Sequence, residues 1–169
     1  MNDRILTERL VLRRPVASDD EGCFLVHGDP RAARYRTSGP DASLDVSRAT
    51  LDRWIAHWAR HGFGPWVVEH AHDGGELAGF GGLRWRGEDE IPGLNLYFRL
   101  RPEQWGKGLA TELARASVRI AFEEQIADKV TAIIRPDNAP SIRVALRIGM
   151  RLVREVVFHG EPSLLYSTN

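Results

Sequence analysis

Apolar side chains are arranged along the chain in two patterns, and each pattern predicts one kind of element. Over residues 44–61 and 109–123 they return every three or four positions, which is typical of an amphipathic helix. A capping box of Ser18 and Glu21 predicts a short helix ending near residue 27, and Gly149 closes another that begins at residue 139. Shorter apolar runs bounded by glycine, proline or charged residues predict strands at 10–12, 65–69, 77–83, 94–100, 129–134, 153–158 and 163–166.

The order of these elements predicts the fold class. Strands and helices follow one another as β, α, α, β, β, β, α, β, α, β, β, which favours an α+β (mixed α/β) fold in one domain spanning residues 1–169. We expect a central, mostly antiparallel mixed sheet of about seven strands, with four helices on both faces. Strand 129–134 follows helix 109–123 after a short connection, so it is predicted to lie parallel to strand 94–100. The two helices that follow these strands then begin at the same end of the sheet, which is the natural ligand site.

The turn between strand 94–100 and helix 109–123 carries the strongest chemical signal. Gly106 and Gly108 flank Lys107 directly before the helix. The first N–H groups of a helix lack internal partners, and glycines let the main chain approach an anion closely. The turn therefore predicts a phosphate site, with a ligand-free tight turn as the alternative. The glycine spacing fits neither a Walker loop nor a dinucleotide fingerprint.

Composition and charge exclude several classes of partner. The chain has 23 basic and 23 acidic residues and no basic block, so we expect no nucleic-acid partner. It has no apolar run long enough for a membrane span and no apolar leader at its N-terminus, and its single cysteine, Cys23, fits a reducing compartment. We predict a cytoplasmic protein with a small or peptidic ligand. His57 and His61 are one turn apart, but no other ligand cluster accompanies them, so we predict solvated histidines and no metal.

Three motifs in the expected order identify a family resemblance. The opening strand 7–13, the turn segment 100–112 and the helix that begins Asn138-Ala139-Pro140-Ser141 and is followed by Ile148-Gly149-Met150-Arg151-Leu152 resemble the GNAT superfamily of acyl-CoA-dependent N-acetyltransferases. Within it, the chain is most similar to the ribosomal-protein N-terminal acetyltransferase branch. The resemblance implies an acyl-CoA N-acyltransferase-like fold, acetyl-CoA as co-substrate, an amine acceptor and a homodimer.

The resemblance also implies which residues bind the co-substrate. The strand ending at Leu100 would follow the pantetheine arm, the turn would hold the pyrophosphate, Asn138 would bond the pantetheine region, and Arg143 would approach the nucleotide end. The co-substrate-binding residues implied in this way are Phe98, Leu100, Trp105, Gly106, Lys107, Gly108, Ala110, Thr111, Asn138, Ser141 and Arg143. Tyr35, Trp66, Trp85, His159 and the acidic residues 88–90 are candidates for the acceptor side.

Two departures from the family pattern affect the expected chemistry, in which an amine attacks a thioester directly. Ala145 replaces a common tyrosine, so Ser141 is the candidate donor to the leaving sulfur. Asn95 replaces a glutamate that is common in relatives, and asparagine cannot accept a proton. Either a carboxylate elsewhere (Glu69, Glu88 or Asp89) acts through water, or proximity supplies most of the rate, with Asn95 bonding the substrate.

Two alternatives to an active acetyltransferase follow from the same residues. The missing glutamate at position 95 favours a non-catalytic acyl-CoA-binding or sensor domain. A nucleotide-binding module that uses the glycine turn predicts magnesium-dependent ATP binding, although the sequence offers no convincing set of Mg²⁺ ligands.

Overall fold

Eight strands and four helices make up the computed structural model, which describes residues 3–72, 74–87 and 91–168. The helices are α1 (Asp20–His27), α2 (Leu44–His61), α3 (Leu109–Glu123) and α4 (Ala139–Arg147). The strands are β1 (Arg4–Leu6), β2 (Leu10–Arg13), β3 (Pro65–His70), β4 (Leu77–Arg86), β5 (Gly93–Leu100), β6 (Thr131–Ile134), β7 (Arg151–Phe158) and β8 (Glu161–Ser167). The bounds of α2 and α3 agree with those that the apolar periods predict.

The strands form one sheet in the order β1-β2-β3-β4-β5-β6-β8-β7. Neighbouring strands are antiparallel except β5 and β6, which are parallel as predicted. The sheet has one strand more than predicted because β1 was missed. That strand has only three residues, two of them exposed, so it carries no apolar period.

The parallel pair β5 and β6 is joined at one position only. The register between these strands contains a single pair, Asn95 with Thr131, and no further pair follows within the described residues. Beyond it β5 continues to Leu100 and β6 continues to Ile134. The strands therefore stop pairing toward their carboxyl ends, and the edge of β5 that faces β6 is left open there.

The two faces of the sheet carry different helices, as predicted. Cys23 and Val26 of α1 and Trp54 of α2 pack with Val67 and Phe80 on one face. Helices α3 and α4 cover the other face through two larger clusters, which include Leu83, Leu94, Leu96, Leu109, Leu113, Ala114, Val144 and Ala145. We call these the α1/α2 face and the α3/α4 face.

The predicted capping box at the start of α1 is wrong. A 3₁₀ turn at Ala17–Asp19 precedes the helix, and the N-cap residue Asp19 makes no side-chain cap. Its carboxylate instead accepts from the Val16 N–H at 2.8 Å and from the Arg13 guanidinium at 2.6 Å. Arg13 of β2 therefore binds the carboxylate at the start of the helix. The local pattern of Ser18 and Glu21 cannot predict this contact with a strand.

Candidate functional site

The turn between β5 and α3 has the geometry that an anion site requires. Gly106 and Gly108 have φ angles of 74° and 79°, in the left-handed region where glycine is strongly favoured. No side chain caps the first turn of α3, whose N-cap is Gly108. A Cβ at Gly106 would meet nothing within 4 Å, and one at Gly108 only Arg9 Nη2 at 3.5 Å. The helix N-terminus is therefore open, and its N–H groups and dipole favour an anion.

A network from the first strands holds this turn in place. Arg9 Nη1 donates to the Lys107 carbonyl at 2.7 Å, and Arg9 Nε donates to Glu112 at 2.7 Å. The other oxygen of Glu112 accepts from Thr7 Oγ1 at 2.6 Å and from the Arg9 N–H at 2.8 Å. Burial alone would raise the pKa of Glu112, but these hydrogen bonds outweigh it and the pKa lies below its ordinary value.

The role of Glu112 in holding the turn is not visible in the sequence. The side chain of Glu112 is only 13% exposed and reaches the segment between β1 and β2. A contact across more than 100 positions leaves no local pattern in the sequence. The one available signal was an acidic residue in the first turn of a helix, which is common for dipole reasons alone.

Side chains before the turn tie it to the end of β5. Trp105 is half exposed, and its Nε1 donates to the Leu100 carbonyl at 3.0 Å. Lys107 Nζ donates to Gln104 Oε1 at 3.1 Å, which keeps the ammonium beside the turn. On α3, Thr111 is buried and Ala110 packs against the core, so these two positions offer main-chain groups rather than side chains.

The second helix N-terminus lies at the same end of the sheet, because α4 follows the parallel strand β6. Asn138 Oδ1 accepts from the Ser141 N–H at 3.2 Å, so Asn138 is the N-cap of α4. Ser141 is half-buried and Arg143 is exposed on the following turn. The topology thus brings the residues predicted on α4 to the same end as the glycine turn.

Side chains of β5 alternate between the two faces of the sheet. Phe98 and Leu100 pack into the α3/α4 face, so their contribution to a ligand is confined to main-chain groups. Asn95, Tyr97 and Arg99 point to the α1/α2 face. Asn95 is 6% exposed, and its Nδ2 donates to the Leu96 carbonyl at 2.9 Å. Its Oδ1 is buried and has no hydrogen-bond partner among the described residues.

Tyr97 and His27 form a hydrogen-bonded pair that sequence reasoning missed. His27 Nδ1 lies 2.9 Å from the Cys23 carbonyl, which can only accept, so Nδ1 carries the proton. Burial, and after it the charge of Arg99, lowers the pKa of His27 to about 4, so the ring is neutral. Its Nε2 therefore accepts from the Tyr97 hydroxyl at 2.6 Å. The pair spans 70 positions of sequence, beyond the reach of any local pattern.

Among the carboxylates considered as bases, Glu69 lies far from Asn95 along the sheet. Glu69 pairs with Leu77 of β4, whereas Asn95 pairs with Arg84 of the same strand. Seven residues of strand separate these positions, which corresponds to roughly 23 Å. Glu69 also accepts from Arg13 Nε at 2.8 Å. Glu88 and Asp89, with the rest of segment 88–90, lie outside the described residues.

The candidates for the acceptor side and the histidines also need correction. Trp66 is fully buried in the cluster on the α3/α4 face, so it does not line the acceptor side. His57 is not solvated: its Nδ1 donates to the Phe63 carbonyl at 2.8 Å and its Nε2 accepts from the Trp85 N–H at 3.0 Å. Within residues 3–72, 74–87 and 91–168, no three potential metal ligands cluster, and no helix is long and apolar enough to cross a membrane.

Comparison with known proteins identifies relatives along most of the chain. A family model described as an acetyltransferase (GNAT) domain matches residues 9–151. An uncharacterised Bacillus subtilis protein, YkkB, is 28% identical over 169 residues, which cover 96% of this chain and 94% of YkkB. The crystal structure of an acetyltransferase from Agrobacterium tumefaciens has a TM-score of 0.84 at 26% identity, covering 100% of this chain and 95% of that one.

A structure from the predicted branch is also similar. The ribosomal-protein-S5-alanine acetyltransferase of Vibrio fischeri has a TM-score of 0.75 at 17% identity, over 98% of this chain and 96% of that chain. At this identity the likeness extends to the fold alone. A closer kinship to that branch than to other members therefore stays a prediction.

Proposed function

This chain belongs to the GNAT acetyltransferase family, whose members transfer acetyl groups from acetyl-CoA, and we propose that it acetylates a primary amine by direct attack in a ternary complex. The acceptor is a small-molecule amine or the N-terminus of a peptide or protein. A cytoplasmic location, a homodimer and the absence of a nucleic-acid partner remain predictions from the sequence.

One observation carries this proposal. The open N-terminus of α3 lies at the end of β5, the strand whose edge toward β6 is unpaired beyond Asn95. An extended acyl-thioester arm needs main-chain partners along a strand, and its pyrophosphate needs an anion site at one end. The glycine turn and the unpaired edge of β5 supply both along one line.

In this proposal the chain binds acetyl-CoA mainly through its main chain. The N–H groups of residues 106–111 hold the pyrophosphate together with Lys107. Asn138 contacts the pantetheine, and Arg143 contacts the nucleotide end. A main-chain N–H of Phe98–Leu100 stabilises the oxygen that gains negative charge during attack, and such a donor is typically worth roughly 3 kcal/mol. The Leu100 carbonyl already accepts from Trp105, so the Trp105 indole fixes that end of the strand.

Proton handling has to differ from that of a member with glutamate at position 95. Asn95 cannot accept a proton, so we propose that the amine enters unprotonated or passes its proton to water. A free α-amino group has a pKa of about 7.7 to 8, so an appreciable share is already neutral near pH 8. Ser141 is the proposed donor to the departing thiolate. The thiol has a pKa of about 8.5, so the thiolate leaves readily and needs only a modest acid or a hydrogen bond.

The second candidate function is acyl-CoA binding without transfer. The observation that favours it is the same Asn95, because the strand position that often carries a glutamate in relatives of that branch holds a buried amide here. This candidate predicts co-substrate binding of ordinary strength and no acetylated product.

Turnover on amines separates the two candidates. We expect thiol release from acetyl-CoA that depends on added amine, together with an acetylated product identified by mass spectrometry. Ser141→Ala should lower kcat about tenfold or more, and any loss of acetyl-CoA affinity should be smaller than this loss of kcat. Binding of acetyl-CoA with no product from any amine of a broad panel would contradict the proposal and support the binding function.

A further inference from the structure

Arg99 lacks the carboxylate partner that four other half-buried arginines of the described chain have. These four arginines, Arg13, Arg36, Arg101 and Arg135, lie in ion pairs with carboxylates. Arg99 is also half-buried, yet its guanidinium contacts the ring of Tyr97, 6.0 Å from the ring centroid, and it has no ion pair with a described carboxylate. Removing part of a guanidinium from water costs free energy when no anion lies beside it to compensate. Arg99 is therefore able to bind an anionic group of a ligand.

The position of Arg99 places that charge on the acceptor side of the sheet. Arg99 shares the α1/α2 face with Tyr97 and Asn95, and it is opposite Phe80 in the pairing of β4 with β5. The co-substrate, by the proposed function, enters along the other edge of the same strand. A substrate lying on this face therefore meets Arg99 and not the glycine turn.

The carboxylate of Asp41, which lies beside α1 and α2, is already neutralised. Asp41 is buried, accepts from Arg36 Nη1 at 2.5 Å and accepts from the Ser47 hydroxyl at 2.7 Å. Its hydrogen-bonding capacity is directed to these two groups, so it does not balance Arg99. Arg99 is therefore a cation beside Tyr97 that Asp41 does not neutralise.

The same face holds a second group that requires a partner. Asn95 Oδ1 is buried and has no hydrogen bond among the described residues, while the Nδ2 of the same amide is used by Leu96. A buried acceptor without a donor costs stability, and the N–H of an amine would satisfy it. One strand face therefore offers an acceptor for an amine at position 95 and a cation for an anion at position 99.

We propose that the acceptor is an amine that also carries a carboxylate, and that Arg99 binds this carboxylate and thereby determines acceptor specificity. The inference rests on the proposed acetyl transfer. Arginine suits the role because its planar fork matches a carboxylate with two parallel hydrogen bonds. Polyamines and other purely cationic acceptors would be repelled by the same charge.

The test compares acceptors in pairs that differ by one carboxylate. Alanyl-glutamate and alanyl-glutamine, both as C-terminal amides, share the same attacking amine and are compared at equal concentrations of neutral amine. We expect wild-type kcat/KM to favour the acid of a pair by about 10- to 100-fold, the range of a charge-assisted hydrogen bond. Arg99→Gln should remove this preference by lowering kcat/KM for the acid alone, and Arg99→Glu should reverse it.

Controls separate this role from folding and from the proposed function. Arg53→Gln alters an exposed arginine of α2 and should leave the preference intact. Acetyl-CoA affinity and thermal unfolding are measured for each variant, and Arg99→Gln should match the wild type in both. Turnover without a preference for the acid, or a preference that survives in Arg99→Gln, would overturn the inference while leaving acetyl transfer intact. Failure to bind acetyl-CoA, or binding without turnover on any amine, would contradict both proposals.

Discussion

The two ends of the candidate site on β5 are built in different ways. At the carboxyl end of the strand, the site consists of main-chain groups that lie within residues 100–111, and side chains serve to hold that main chain in place. On the α1/α2 face of the same strand, the site consists of side chains, and their partners come from α1, 70 positions away, and from the preceding strand β4. A main-chain site needs particular backbone angles, whereas a side-chain site needs particular neighbours.

This difference predicts how each end responds to substitution. Conformational constraints at the turn should make it intolerant of any side chain at its glycines. The α1/α2 face should respond to changes in charge and hydrogen bonding, with effects on pH dependence and acceptor choice. The following predictions test the contrast.

The largest effect is expected from Gly108→Val. A branched Cβ at the start of α3 would block the approach of phosphates to the main chain, and we expect acetyl-CoA affinity to fall by about 1,000-fold, or about 4 kcal/mol. The φ of 79° also strains any valine, so a stability loss of about 1 to 3 kcal/mol should accompany it. Calorimetric titration and urea unfolding measure the two effects.

Gly62→Val is the matched control for that strain. Gly62 ends α2 with a φ of 73°, and a Cβ there would meet nothing within 4 Å. It should lose a similar amount of stability and keep its affinity for acetyl-CoA. Equal losses of affinity in both variants would mean that strain, and not obstruction of an anion site, explains the effect at Gly108.

The next effect concerns pH and belongs to the α1/α2 face. Burial lowers the pKa of His27 to about 4 from an ordinary 6.5, so the unfolded chain binds more protons between these values. Stability is therefore fully present above pH 6.5 and is lost as the pH falls toward 4, by about 2 kcal/mol between pH 7.5 and pH 5. His27→Gln should remove that portion of the dependence in urea unfolding, and an unchanged slope in the variant would refute the assignment.

The smallest effect is expected from Glu112→Gln, which changes a support of the turn and not the turn itself. The variant lacks the negative charge of the carboxylate to which Arg9 and Thr7 donate. We expect about 1 kcal/mol less stability and a few-fold weaker acetyl-CoA binding. Glu123→Gln is the control, because Glu123 is 64% exposed and its pair with Arg119 at 3.8 Å should contribute little. A loss as large in Glu123→Gln would show that Glu112 has no special part in holding the turn.

The same contrast explains what the sequence could predict. Helices α2 and α3, the parallel β5–β6 pair and the glycine turn follow from apolar periods and local residue types, so they were predicted correctly. Strand β1 has too few buried residues to show a period, and the start of α1 depends on Arg13 from another strand. The His27–Tyr97 pair, the burial of Trp66 and the support from Glu112 arise only when distant segments pack together.

The central claim is that the turn and the unpaired edge of β5 form an acetyl-CoA site, and a calorimetric titration of the purified wild-type protein tests it most directly. Acetyl-CoA and, in parallel, ATP with magnesium are titrated into the same preparation. We predict saturable binding of acetyl-CoA with one site per chain and no heat of binding for ATP. Absence of acetyl-CoA binding, or magnesium-dependent binding of ATP in its place, would contradict the account.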